Sequence, residues 1–330
     1  MTGRRTRAAL AVAAVGAMLT LAACGGSTSD DTADGGKNGG ETRTVRDTMN
    51  GDISGVPVKP KRVVALWRTG SELADLGVKP VAALEGEFLK GEMDAGTYAK
   101  YEDIPTVGTF QGVDVEKVIK AKPDLIVGMD HGNIGIDYDE LEDIAPTVIL
   151  KIAEPPDVWK NYPQLADVVG KSTGFERDNA ALSKKLAAIE RRHGKRLRGA
   201  KAVHLSTDGG KNWISTKKSL AWERLDAAGF GYMDRYTKRP ARYVEELASE
   251  NIPDLNGADV LFYAVDLHGK KEPDVDKLLR SESFKRLPAV KAGNVFPLTS
   301  ATIYTFAAAN QQVTELTTAA QRYTSEGTSS

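Results

Sequence analysis

Histidine, serine and aspartate meet in one short stretch, HLSTD, as His204, Ser206 and Asp208. On an extended strand alternate residues share a face, so all three would project together. A catalytic triad needs more. The base must reach the nucleophile while a third group orients it, which neighbours on one strand rarely achieve. No GxSxG elbow, HExxH pair or phosphate-binding glycine loop stands elsewhere in the chain. Hydrolysis at HLSTD is therefore a remote alternative, and no enzyme is expected. Metal ligation needs clustered histidines and carboxylates. Of His131, His193, His204 and His268, only His131, beside Asp130, falls at a strand end. One such pair is not a site, so neither a bound metal nor a cofactor is expected.

The single cysteine, Cys24, has a different chemistry. It follows MTGRRTR and an uncharged apolar run over 8–23, which together form an export signal. The run falls short of the roughly 20 apolar residues of a membrane span, so a transmembrane anchor is the weaker alternative. After Cys24 comes GGSTSDDTADGGKNGGETR, too polar to bury a core and expected to be a flexible tether. LAAC resembles the lipobox of bacterial lipoproteins. That resemblance implies a signal peptide over 1–23, a tether over 24–44 and acyl chains (palmitate) on Cys24. More than one chain is what stable anchoring takes. The expected location is the outer face of a cytoplasmic membrane.

The other side chains need a scaffold. The chain carries 44 Lys and Arg against 45 Asp and Glu, a balance that gives no push towards nucleic acid. From Lys61 onward short apolar strands alternate with helices. RVVALW (62–67), VAAL (81–84), DLIVGM (124–129) and TVIL read as strands. SELADLG reads as a helix with Ser71 as N-cap and Gly77 as C-cap, and VDVEKVIKAKP as one capped by Asp114 and stopped before Pro123. A long amphipathic helix spans 175–197. The alternation then restarts with AVHLS, AWERLDAAGF, DVLFYAV, VDKLLRSESFKRL and NVFPL, and closes with FAAANQQVTELTTAAQRY. The expected fold is α/β: two Rossmann-like lobes with mainly parallel sheets, over 45–174 and 199–330, joined by one long interlobe helix over 175–198.

Ligands of such sheets bind outside the carboxyl ends of the strands, and two facing lobes make a cleft. The strand ends offer Trp67, Arg68, Phe110, Met129 and His131 from the first lobe, and Trp213, Tyr263 and Tyr304 from the second. Arg242, with Arg239, lies in YTKRPARY near the second lobe's mouth, as a cleft donor or, the stronger alternative, in a solvated loop. Arg68 ends a buried strand, where a charge needs a reason. Trp213 has an alternative place in a hairpin packed on its own lobe, and Trp222 reads as core.

Four stretches in order resemble the class III substrate-binding lipoproteins of ABC importers, the siderophore- and cobalamin-binding type. They are PKRVVALWRTGSELADLGVKPVAA, PTVGTFQGVDVEKVIKAKPDLIVG, YVEELASENIPDLNGADVLF and FKRLPAVKAGNVFPL. The resemblance implies limited lobe closure and a monomer that hands its ligand to an ABC permease. It also implies one docking glutamate on each lobe. Glu116 and Glu245 match best, each taken to open a helix that leads into a strand; Glu72, Glu246 and Glu250 compete. The implied ligand is a ferric siderophore. Aromatic rings pack on its linkers and arginine donates to its oxygens, while the chelator itself fills the iron's coordination shell. A hydroxamate is favoured, because a strongly anionic tris-catecholate calls for several clustered cations. Cobalamin is the rival, and Met129, His131 and Tyr263 leave haem open as axial ligands.

Overall fold

The computed structural model describes residues 40–132, 137–300 and 304–324. The signal peptide, Cys24 and most of the expected tether lie outside the described residues. So do 133–136 and 301–303.

The first lobe opens with an antiparallel hairpin, β1 (Thr42–Thr48) and β2 (Gly51–Pro57). β1 thus begins inside the stretch expected to be tether. Its polar sequence conceals it, because only Val45 of β1 is buried. Next come β3 (Val63–Ala65), α1 (Gly70–Asp75), β4 (Ala82–Ala83), α2 (Ala95–Tyr101), β5 (Gly108–Thr109), β6 (Gly112–Val113), α3 (Val115–Ala121), β7 (Leu125–Asp130), α4 (Tyr138–Glu142), β8 (Thr147–Lys151) and α5 (Asp157–Val168). β4, β3, β7 and β8 form an all-parallel sheet in that order. Its strands are buried along nearly their whole length, as a sheet covered on both faces requires.

α6 (Ser172–Leu197) crosses to the second lobe, starting three residues earlier than its apolar pattern suggested. The second lobe holds β9 (Ala202–Asp208), β10 (Lys211–Ser215), α7 (Leu220–Ala227), α8 (Asp234–Thr237), β11 (Val244–Leu247), a 3₁₀ run (Ser249–Gly257), β12 (Val260–Val265), α9 (Pro273–Arg280), α10 (Glu282–Lys285), α11 (Pro288–Lys291), β13 (Val295–Thr299) and α12 (Phe306–Arg322). The sheet order is β11-β10-β9-β12-β13. β9, β12 and β13 are parallel, whereas β10 and β11 run antiparallel to their neighbours. Gly209 and Gly210, both at positive φ, form the two-residue turn that folds β10 back on β9.

The core crosses between the lobes. Trp159 and Tyr162 of α5, Phe175 of α6 and Phe306 of α12 meet with ring centroids 5.1–5.6 Å apart. The carboxylate of Asp75, at the end of α1, accepts from the Phe306 N–H at 2.6 Å and from the Tyr162 hydroxyl at 2.7 Å. A first-lobe acid therefore caps a second-lobe helix. Arg224 of α7 stacks 4.3 Å from the Trp159 ring centre, and burial lowers its pKa to about 10. Its Nε and Nη2 have no hydrogen-bond partner. These contacts oppose a wide hinge swing.

Candidate functional site

A cleft of about 500 Å³ opens at the carboxyl ends of the second lobe's central strands. Alternation along β9 places His204, Ser206 and Asp208 on its wall, and β10 adds Trp213 and Ser215. Arg242 and Tyr243 come from the loop before β11. Ser300 follows β13, Tyr304 precedes α12, and Pro155 and Pro156 enter from the first lobe.

His204 forms the floor. Its Nδ1 lies 2.8 Å from Ser215 Oγ and its Nε2 2.7 Å from Ser300 Oγ, so both ring nitrogens are engaged. Neither Ser206 nor Asp208 bonds to it, and no carboxylate orients it. The triad alternative lacks its geometry. Burial lowers the imidazole pKa to about 3, and the ring is neutral at neutral pH. The unfolded chain takes up this proton near pH 6.5 and the folded chain does not, so stability falls as pH drops below that value. Between pH 6.5 and 4 the loss from this group is about 3 kcal/mol. Burial raises the carboxyl pKa of Glu72 and Glu87, which act in the opposite sense. Urea midpoints of wild type and His204→Asn, compared at pH 7 and pH 4, isolate the histidine: the variant's shift on acidification should be less destabilising.

The first lobe's contribution is built by strain. Trp67 and Arg68 both sit at positive φ, 31° and 63°. Bulky residues there need a surrounding that fixes them, and such strain gathers at binding sites. The Glu87 carboxylate supplies the clamp, accepting from the N–H groups of Arg68, Thr69 and Gly70 at 3.0, 3.0 and 2.7 Å. It caps α1 in place of Ser71, which lies inside the helix with Oγ donating to the Glu87 carbonyl. The Trp67 Nε1–H donates to the Phe110 carbonyl at 3.2 Å, tying the β5–β6 hairpin to this turn. The outcome is an exposed Arg68 side chain with no acid paired to its guanidinium among the described residues.

The expected site residues thus divide. Trp213, Arg242 and Tyr304 line the cleft. Arg68 is exposed and outside the cleft lining, within electrostatic reach of Tyr243 and Tyr304, and Phe110 is 42% exposed at the hairpin tip. Trp67 and Met129 are 0% and 1% exposed and belong to the core, so they offer no surface to a ligand. Trp67 turns inward because its strained backbone folds the ring over Gly128, where a Cβ would stand 3.1 Å from it. His131 is exposed, but its neighbour Asp130 is buried, bonded to the Tyr138 hydroxyl and the Gly132 N–H. No cluster of three metal-ligating groups occurs among the described residues. Tyr263 is half-buried within β12, away from the cleft lining. Buried Met129 and off-cleft Tyr263 fall away as axial haem ligands.

The docking pair changes too. Glu116 is exposed in the first turn of α3, as expected. Glu245 does not open a helix: it lies within β11, 3.1 Å from Arg235. Glu246 pairs with Lys211 at 2.9 Å. Glu250 is the exposed acid that opens the helical run leading into β12.

Residues that the sequence did not single out complete the site. Glu154 lies 3.7 Å from Arg242, bridging the lobes at one side of the mouth. At another point the Leu267 N–H donates to the Gly91 carbonyl at 3.2 Å, and His268 Nε2 lies 3.0 Å from the Lys90 carbonyl. Glu87 and Glu154 lie in polar loops whose sequence gives no sign of a partner.

Two α/β lobes, a rigid helix between them and a cleft at their strand ends define a solute-binding protein. The periplasmic binding protein family model matches residues 80–302, and the chain belongs to that family. It is 30% identical over 302 residues to the "Probable siderophore-binding lipoprotein YfiY" of Bacillus subtilis, covering 84% of this chain and 86% of that one. It is 27% identical over 295 residues to the Iron(3+)-hydroxamate-binding protein YxeB of the same organism, covering 84% and 85%. Among solved structures it resembles the siderophore periplasmic binding protein from the fuscachelin gene cluster of Thermobifida fusca. There the TM-score is 0.71 and the identity 24%, with 80% of this chain and 97% of that one covered.

Proposed function

We propose that this protein captures a ferric siderophore between its lobes and delivers it to an ABC permease for iron uptake, held at the outer face of a cytoplasmic membrane by a lipid on Cys24. The observation that carries the reading is an unpaired arginine, Arg68, within electrostatic reach of Tyr243 and Tyr304, which with Trp213 line a cleft floored by neutral His204 and its serine partners. The rings suit the apolar linkers of a chelator, and the guanidinium suits its oxygens. No protein ligand to iron is needed. The relatives that bind siderophores and iron(3+)-hydroxamates support the same class.

A hydroxamate is favoured on charge. Of the two arginines at the mouth, Arg242 already faces Glu154. Asp208 and Glu272 also line the cleft. A site with one uncompensated cation suits a nearly neutral complex better than a tris-catecholate. Equilibrium dialysis of the lipid-free chain against ferric hydroxamate, ferric catecholate, cobalamin and haem tests this. Equimolar retention of the hydroxamate complex is expected. Retention of cobalamin or haem alone would overturn the ligand, and retention of none would overturn the function.

Docking to the permease falls to Glu116 and Glu250, each an exposed carboxylate at the start of a helical segment. Charge pairs of this kind set orientation and association rate more than affinity. In vesicles carrying the permease, Glu116→Ala and Glu250→Ala should each slow ligand-stimulated ATP hydrolysis several-fold, and Glu245→Ala should change it little. An equal loss in Glu245→Ala would return the role to that residue.

A further inference from the structure

The C-terminal half of α6 is the most basic stretch of the chain. Between Lys184 and Lys201 lie eight lysines and arginines against a single acid, Glu190, in a protein whose net charge is −1. The helical period sorts them. Leu182, Leu186, Ile189 and Leu197 are buried on one side. Lys184, Arg191, Lys195 and Arg198 fall within a narrow arc on the opposite side, and all four are exposed. At 1.5 Å per residue they form a straight stripe about 21 Å long. Arg198 is matched by Glu190 and Asp226, at 3.8 and 2.9 Å. Arg191, Arg192 and Lys195 have no acidic partner among the described residues.

The position of the stripe matters as much as its charge. α6 ends where β9 begins, and it is the far end of β9, from His204 to Asp208, that lines the cleft. The stripe therefore runs alongside the sheet, from Lys184 near the cleft end, where its neighbour Lys185 bonds Asn310 at the start of α12, to Arg198 at the end away from the ligand, where Arg196 bonds the Ala320 carbonyl. Glu250 stands towards the cleft end, for β11, which leads to it, finishes level with Thr207. Glu116 lies in the first turn of α3, just after the hairpin that Trp67 ties to the carboxyl end of β3. The start of α6 lies beside the chain's first described residues, for Asp167 bonds both Arg43 and the Ser172 hydroxyl. One helix thus joins the side where the N-terminal segment enters to the basic face.

We infer that this stripe docks the body on an anionic phospholipid surface, with the strands lying along the membrane and the cleft opening to the side. The inference takes its purpose from the lipid anchor proposed above. The segment from Cys24 to Gly40, even fully extended, holds the body within about 56 Å of the anchored sulfur. At that range weak electrostatic contacts act at high effective concentration. Each cation near an anionic surface contributes roughly fivefold to binding, falling off within a Debye length. Three or four unpaired cations hold the body reversibly. The cleft then opens sideways into the solution during capture, and the acidic docking residues must turn to meet a permease.

The test omits the anchor, so it stands or falls separately from lipidation. The hydrophobic cores of the body are built from residues 45–323, and the chain from residue 25 onward contains all of them. Its co-sedimentation is measured with vesicles of pure phosphatidylcholine and with vesicles in which roughly a third of the lipid is phosphatidylglycerol, an anionic surface of the kind that attracts basic segments. Binding should appear only with the anionic lipid and weaken steeply as salt rises. The Arg191→Glu/Arg192→Glu/Lys195→Glu variant should bind at least tenfold more weakly, with ferric-ligand affinity unchanged. A variant with the same charge change on the first lobe, Lys100→Glu/Lys117→Glu/Lys120→Glu, should retain most of the binding. Equal binding to both vesicle types, equal losses in the two variants, or retention on soluble polyphosphate with none on anionic vesicles would each overturn the inference.

Discussion

Asp75→Ala should lower stability by about 3 kcal/mol, although residue 75 lies far in sequence from the helix it caps. The carboxylate accepts from the Phe306 N–H and the Tyr162 hydroxyl, and the Ala307 N–H lies 3.4 Å away. Alanine leaves the first two donors without that acceptor at a part-buried interface. For a body of this size the loss corresponds to roughly 6–9 °C in Tm. Burial raises the Asp75 carboxyl pKa while these donors pull it back. An asparagine side chain keeps one acceptor oxygen, so Asp75→Asn should recover part of the loss. Thermal unfolding of the three proteins at pH 7 checks the order. An Asp75→Ala protein as stable as wild type would mean that the lobes do not depend on this cap.

Arg68→Ala should weaken ferric hydroxamate binding by ten- to a hundredfold, the range of one or two charge-assisted hydrogen bonds. The residue is exposed and unpaired, so its removal should leave Tm within about 1 °C. Arg242→Ala should cost less affinity, because that guanidinium already faces Glu154 and its loss also removes a bridge between the lobes. Arg68→Lys separates charge from geometry. A lysine keeps the charge but not the planar fork, and should recover only part of the affinity. Titration of the four proteins by isothermal calorimetry with one ferric hydroxamate measures all of this. Equal losses at Arg68 and Arg242 would show that charge at the mouth, and not the strained turn at Trp67 and Arg68, governs recognition.

The architecture is legible because its signals are local. Buried strands such as DLIVGM are unbroken apolar runs, and the amphipathic pattern of α6 persists along most of its length. Asp114 reads correctly as a cap because its partner, Lys117, lies three residues away. Ser71 misleads because the true cap of α1 is Glu87, sixteen residues on and in a loop. β1 and β11 escape notice because their polar or short sequences resemble loops, whereas the hairpin alternative for Trp213 matches β10.

The site is legible in outline only. Strand ends point at a cleft, which locates Trp213 and Tyr304; Arg242 is found only through its cationic loop. The same rule fails for Trp67 and Met129, since it does not say which way a side chain turns. Trp67 goes inward through a positive φ that a tryptophan followed by an arginine does not announce, and the same turn sends Arg68 outward. Nothing in AWERLDAAGF singles out Arg224. Its burial against Trp159 depends on a helix from the other lobe. Glu245 attracts the docking role because YVEELASENIPDL looks like the opening of a helix; β11 claims that glutamate, and the helical run begins four residues later.

Tryptophan fluorescence, read as the lipid-free protein is titrated with a ferrioxamine-type hydroxamate, tests the central claim most directly. Trp213 lies on the cleft wall, whereas Trp67 is fully buried. A ligand held in the cleft should quench emission saturably at one equivalent. The quenching should largely vanish in Trp213→Phe, and its midpoint should move to higher concentration in Arg68→Ala. Saturable quenching that survives in both variants would place the ligand elsewhere. No quenching by any ferric siderophore would contradict the account of this cleft as an iron-chelate receptor.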